Sequence, residues 1–264
     1  MKYTLLTLFP EISDAFFAVS VMAKAIDRGI VEYCPINIRD FAPDKHHSCD
    51  DAPYGGGAGM LMMAEPLGLA LQAAGVIPGN GTEPAGGPAA FTDKSRRRVI
   101  CLSPSGRLFT QKLAEEFAGL EELVLVCGRY EGIDQRIIDL YIDEEISVGD
   151  YVLSSGETAA LVVIDATYRL VDRVIRAESL EEESFSGGLL EYPQYTRPEI
   201  YATIQVPELL LSGHHEHIRR WRLEKRVEKT LKMRPDLIRK GLAAGIFDDE
   251  TLKLISALQS EEEK

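Results

Sequence analysis

Across its first 165 residues the chain alternates strand-like and helix-like segments, and that alternation leaves few folds open to it. Tyr3 to Phe9 (YTLLTLF) is rich in Leu, Thr and aromatics and ends at Pro10, which predicts a buried strand. Ile12 to Arg28 carries apolar residues at helical spacing and stops at Gly29, so a helix is expected there. Further strands are expected over Val31–Ile38, Arg98–Pro104, Glu122–Gly128 and Glu145–Leu153, with helices over Thr110–Ala118 and Asp134–Tyr141. Strands separated by helices of this length indicate an α/β domain with a largely parallel sheet. Such sheets bind ligands at the carboxyl ends of their strands.

Three of those strand ends run into glycine-containing polar segments. They are Ser103-Pro-Ser-Gly-Arg107, Gly128-Arg-Tyr-Glu-Gly-Ile-Asp134 and Gly149-Asp-Tyr-Val-Leu-Ser-Ser-Gly-Glu157. One such loop is an ordinary turn. Three at equivalent positions point to a small-molecule site.

The rest of the chain is organised differently. Val76 to Ser95 is rich in Gly, Pro and Ala without periodicity, and reads as a mobile surface insertion. Residues 172–196, which include ESLEEESFSGG, read as an interdomain linker between a domain over 1–171 and a small α-helical domain over 197–264. The closing Glu-Glu-Glu-Lys is expected to fray. The net charge of -13 hides an asymmetry. Arg219 to Arg234 holds eight basic and two acidic residues, net +6, which leaves 21 basic and 40 acidic residues, net -19, for everything else. An acidic protein with one basic helix suits a specific polyanion contact; a solvated helix face with Ile218, Trp221 and Leu231 packed beneath is the plainer alternative. No apolar run approaches the roughly 18 residues of a membrane span. The N-terminus lacks a signal-peptide cleavage site, so a soluble, cytoplasmic protein is expected.

Asp50-Asp-Ala-Pro-Tyr-Gly-Gly-Gly-Ala-Gly-Met60 is the most distinctive segment. Four glycines in five positions allow backbone to approach a planar or phosphorylated ligand closely. No Gly-Lys-Ser/Thr follows, so it is not a P-loop, and the acidic residue of a dinucleotide fingerprint is missing. His46 and His47 precede it in a polar loop, where they either help hold a substrate or face solvent. His214 and His217 share a helix face but lack further ligands nearby, so no metal site is assigned to them. The four cysteines show no C-x-x-C pair, and Cys101 and Cys127 lie in apolar runs as small buried hydrophobes.

Taken together, LFPE (8–11), RDF (39–41), DDAPYGGGAGMLMM (50–63), LSPSGR (102–107), LVLVCGRYEGID (123–134), DEEISVGDYVLSSGE (143–157), YPQYTRPE (192–199) and LLSGHHEHIRRWR (210–222) closely resemble the bacterial tRNA (guanine-N1)-methyltransferases, the TrmD family of the SPOUT class. The motifs span nearly the whole chain in the family's order. The resemblance implies a parallel α/β domain tied in a deep trefoil knot, one of the rare exceptions to the rule against threaded chains, with a small helical domain behind it. It implies methylation of guanine-37 of tRNA from S-adenosylmethionine, in a homodimer whose active sites are shared between subunits. Carried over by motif, Leu102, Ser103, Pro104, Gly128, Tyr130, Glu131, Ser147, Val148, Gly149, Tyr151, Leu153 and Gly156 line the donor site. His46, Asp50, Tyr54, Gly55, Gly59, Arg219, Arg220 and Arg222 contact the tRNA, and Mg²⁺ dependence is implied without a visible ligand cluster.

The chemistry sets its own demands. At neutral pH guanine N1 carries a proton and has no lone pair for a methyl sulfonium, so a base must remove the proton and a cation must hold the charge arising on O6. The resemblance assigns these roles to Glu183, in EESF, and Arg169. Four departures stand out: Glu183 where the family usually has Asp, with the spacing to Arg169 one residue shorter; Ala52 where Arg often precedes Pro-Tyr; Ser155 and Ala159 for a Gly and a Pro; and the long Val76–Ser95 insertion. Glu182 is the alternative base. Rival readings are a SPOUT enzyme acting on another RNA position, an RNA-binding protein that retains the donor loops as scaffold, and an enzyme using a dinucleotide.

Overall fold

The computed structural model describes residues 1–79, 93–176 and 182–262. It divides into two compact units, Met1–Ile175 and Arg176–Lys264. The division falls inside the stretch read as linker.

The first unit is built on a five-stranded, all-parallel sheet in the order β2-β1-β6-β5-β7. The strands are β1 (Lys2–Thr7), β2 (Glu32–Asn37), β5 (Arg97–Leu108), β6 (Glu122–Val126) and β7 (Glu144–Ser147); β3 (Asp50–Asp51) and β4 (Leu61–Met62) form a separate two-residue antiparallel ladder. Helices α1 (Pro10–Phe17), α2 (Ser20–Asp27), α4 (Gln111–Ala118) and α6 (Gly156–Tyr168) pack on one face, where Tyr3, Leu5, Ile100, Leu123 and Leu125 point. Helices α3 (Ala64–Ala73) and α5 (Gln135–Tyr141) cover the other, with Leu6, Val99, Val124 and Val126. Alternate residues of each strand thus enter two different cores, which is why the central strands read as unbroken apolar runs.

The structure corrects the sequence reading in several places. The single helix expected over 12–28 is two, because the chain turns at Ala18–Val19 and Ser20 takes a positive φ of 60°. Helix α3 was not expected at all. Its exposed face carries Leu69 and Ala73 beside Glu65, and it contains Gly68, so its amphipathic period is weak. The last strand, β7, stops at Ser147 instead of Leu153, and β5 continues to Leu108 instead of Pro104. Of the Val76–Ser95 insertion, residues 80–92 lie outside the described residues; the segment leading into it is anchored, with Val76 buried and Gly79 N donating to Leu140 O at 2.7 Å.

The second unit holds α7 (Glu208–Leu211), α8 (His215–Met233), α9 (Pro235–Ala244), α10 (Asp249–Glu262) and a small hairpin, β8 (Ile200–Tyr201) with β9 (Ile204–Gln205). Its core is thin: Leu189, Val227, Ile238 and Ile255 are its buried apolar residues. Leu189 comes from the stretch read as linker. Helix α10 runs to Glu262, within the tail expected to fray, and residues 263–264 lie outside the described residues.

Candidate active site

The carboxyl ends of β5, β6 and β7 open onto one cavity of about 380 Å³, a size suited to a small molecule. All twelve residues assigned to a donor site line it: Leu102–Pro104, then Gly128, Tyr130 and Glu131, then Ser147–Gly149, Tyr151, Leu153 and Gly156. The first wall exists because β5 bulges. Leu102 and Arg107 both register with Ile146 of β7, so residues 103–106 are pushed out of the ladder.

The third wall is pinned to the second at Gly156. Its N–H donates to Gly128 O at 2.8 Å, and a Cβ there would lie 2.6 Å from Gly128 N and 2.8 Å from Cys127 Cα. Only glycine lets the start of α6 come this close to the end of β6.

Beneath these loops lies a polar cluster that the sequence reading left out of its site. Glu157, in the first turn of α6, is fully buried; its carboxylate accepts from Thr7 Oγ1 at 2.6 Å and from Arg129 Nε at 3.0 Å. Arg129 also lays its guanidinium over the Phe9 ring, 4.5 Å from the centroid. A buried charge needs such partners. The available clue was a glutamate opening an otherwise apolar helix, GETAALVVIDATY, but its partners stand 28 and 150 positions away.

The glycine segment belongs to the same assembly. Glu131 N donates to Met60 O at 3.0 Å, Met62 N to Gly132 O at 2.9 Å and Asp134 N to Met62 O at 3.1 Å, so the segment is stitched to the second wall. At Gly59 (φ +84°) a Cβ would meet Glu131 Cγ at 2.2 Å. Asp50 faces the Tyr130 hydroxyl, whose pKa is raised by burial first and by that carboxylate second. Tyr54 projects wholly into solvent at the tip, beside Gly55 (φ +87°). His46 is exposed, its backbone N–H held by Asp44 at 3.0 Å. Arg169 is the half-buried residue closing α6 in the first unit.

Glu183 and the remaining candidates lie in the second unit. The basic helix, α8, is less open than its composition suggests. Arg219 bridges Glu216 at 2.8 Å and Glu250 at 3.0 Å; Arg222 bridges Glu182 at 3.4 Å and covers the Tyr192 ring at 4.8 Å. Lys225 pairs with Glu228 and Arg234 with Asp236. Arg226 and Lys229 donate to main-chain carbonyls. Among the described residues Arg220 and Lys232 do neither and stand exposed. The His214 and His217 rings lie 5.6 Å apart. Among the described residues no group of three His, Cys, Asp or Glu is placed to hold a metal ion. No helix there is long and apolar enough to cross a membrane.

The profile of the family described as tRNA (Guanine-1)-methyltransferase TrmD matches residues 1–240. The chain belongs to the TrmD family. Its similarity to individual members is high and runs end to end. It is 58% identical over 261 residues to the tRNA (guanine-N(1)-)-methyltransferase of Treponema denticola, covering 99% of this chain and 100% of that one. To the proteins of the same name in Treponema pallidum and Borreliella burgdorferi it is 51% and 54% identical, over 99% and 92% of this chain and 97% and 95% of theirs. The cavity and the glycine segment described above are therefore features of a TrmD enzyme.

Proposed function

We propose that this TrmD-family enzyme methylates N1 of guanine-37 in tRNA, next to the anticodon, with S-adenosylmethionine as donor. The observation that carries the reading is the convergence of all three glycine-containing loops, and all twelve assigned residues, on one cavity at the carboxyl ends of β5, β6 and β7. The cavity suits the donor: its lining combines apolar residues such as Leu102, Ile133 and Val148 with polar ones such as Ser103, Glu131 and Glu145, and its volume of about 380 Å³ lies within the range of small-molecule sites. Bound there, S-adenosylmethionine supplies an electrophilic methyl on sulfonium and departs as S-adenosylhomocysteine.

The chain's own residues prepare the acceptor. Glu183 takes the proton from guanine N1, which frees the lone pair that forms the new N–C bond as the C–S bond breaks. Arg169 holds the negative charge that appears on O6. Asp50, Gly55, Gly59 and the exposed ring of Tyr54 receive the guanine and its neighbours; an aromatic ring free on both faces is a stacking platform for an unstacked base. Taking the base out of the anticodon stack costs a few kcal/mol, which contacts from the glycine segment, His46, Arg219, Arg220 and Arg222 offset.

The family resemblance extends the proposal to a knotted SPOUT-class catalytic domain over 1–171, a linker over 172–196, a tRNA-binding domain over 197–264, and a cytoplasmic homodimer with shared active sites. Tyr151, Val152 and Leu153 support the dimer: they are 56%, 86% and 37% exposed at the cavity, apolar surface that a partner subunit would cover.

The test is to incubate the protein with S-adenosylmethionine and a tRNA bearing guanine-37, then read the nucleosides by mass spectrometry, with Glu183→Gln alongside. N1-methylguanosine at that position from the wild type and almost none from the variant is the expected result. Equal product from both would remove Glu183 as the base, and methylation elsewhere would overturn the position.

A further inference from the structure

The segment carrying Glu183 is folded tightly on itself. Ser186 N donates to Glu183 O at 3.1 Å, Phe185 N to Leu189 O at 2.7 Å, and Glu191 N to Ser184 Oγ at 3.1 Å. The turn requires Phe185 in the left-handed region, φ 77°, at nearly half exposure. For a bulky residue that conformation costs about 1–3 kcal/mol and persists only where the surroundings over-determine it.

Helix α8 supplies those surroundings. The Arg226 guanidinium donates to Ser186 O at 2.8 Å and to Leu190 O at 3.4 Å. One turn on, Thr230 Oγ1 accepts from Leu190 N at 2.9 Å while donating to Arg226 O at 2.6 Å, and Lys229 Nζ donates to Glu191 O at 3.0 Å. One turn earlier, Arg222 holds Glu182. Leu189 is pressed into the core between these anchors. Three of the eight cations read as an RNA-facing stripe are therefore spent on the segment that bears the carboxylate.

We propose that Arg226 and Thr230 are positioning residues for Glu183: they clamp the main chain within and just after the left-handed turn that follows it, at Ser186 and Leu190, and so fix where its carboxylate stands. This rests on Glu183 being the base. Arg226 acts through the loop and not on phosphate, so its loss lowers the rate of methyl transfer and leaves tRNA affinity alone.

The experiment is a double-mutant cycle on the full-length enzyme, reading the single-turnover rate with tRNA and S-adenosylmethionine both saturating. Arg226→Ala is expected to lower the rate on the order of 10- to 100-fold, the scale of a misplaced reacting group, with tRNA affinity unchanged to about twofold. In a Glu183→Gln background the same substitution is expected to change the rate by less than about twofold, because coupled residues are not additive. Equal losses in both backgrounds, or a loss confined to tRNA affinity, would overturn the inference. If Arg226→Ala disturbs the fold of the second unit, Thr230→Val removes the Leu190 clamp at constant shape and enters the same cycle, with a smaller loss expected. A Glu183→Gln enzyme at wild-type rate would sink the base assignment, and this inference with it; an impaired Glu183→Gln with additive Arg226→Ala would sink the positioning role alone.

Discussion

The two units hold their functional residues by different means. In the first, the loops around the cavity leave strands whose apolar residues fill two cores, and the walls are fixed by main-chain hydrogen bonds and close glycine contacts. In the second, Leu189, Val227, Ile238 and Ile255 are the buried apolar residues among those described, with Leu223, Leu231, Phe247, Leu254 and Leu258 packed partly buried against them, and the loop bearing Glu183 is fixed by guanidinium, ammonium and hydroxyl groups reaching from one helix. Main-chain hydrogen bonds and glycine contacts carry no net charge, so they respond little to salt. A loop held by exposed and half-buried charges is tunable by ionic strength and by a polyanion that competes for the same cations.

The sharpest way to break this contrast is at the buried ion pair beneath the cavity. Arg129→Ala strands the buried Glu157 carboxylate, and removing one partner of a buried pair costs about 3–5 kcal/mol. The expected result is a lower unfolding midpoint of the first unit together with weakened donor binding, both read by thermal denaturation with and without S-adenosylmethionine. An unchanged midpoint would mean the site does not lean on this pair. Next, Gly156→Ala forces a Cβ against the main chain of Cys127 and Gly128. Overpacking of about 1–3 kcal/mol corresponds to donor affinity weakened by roughly tenfold, measurable by calorimetry; an intact affinity would show that the walls can part.

The smallest effect belongs to the second unit. Arg234 holds the Asp236 carboxyl down to about 2, from an ordinary 3.8, chiefly by their side-chain hydrogen bond. A depressed carboxyl contributes stability that is complete above its unfolded value and is lost as pH falls towards about 2. Unfolding of the second unit between pH 4 and 2 should therefore steepen less with acid in Asp236→Asn than in the wild type, and identical profiles would refute the assignment.

The strands, their parallel arrangement and the three loops were legible because short apolar runs and glycine punctuation are local. Helix α3 was not, since its exposed face carries Leu69 and Ala73 beside Glu65 and so blurs the amphipathic period that announces a helix. Nor was the cluster of Thr7, Arg129 and Glu157, whose members meet only after the sheet has formed. The reading of Arg219–Arg234 as a cationic stripe counted charges correctly and missed their use. Glu182, Glu216, Glu228, Asp236, Glu250 and several main-chain carbonyls engage six of the eight, and proximity of that kind leaves no mark in a linear pattern.

The burial of the cysteines has a consequence for the proposed chemistry. Cys101 lines the cavity and Cys127 lies directly beneath Gly156; burial pushes the Cys101 thiol up to about 12 and the Cys127 thiol well above its ordinary value. A sulfonium methyl donor is an alkylating agent, and the thiolate is the side-chain form most ready to be alkylated. Folded into the sheet as protonated thiols, Cys101 and Cys127 would be poor targets for the sulfonium donor proposed for this cavity.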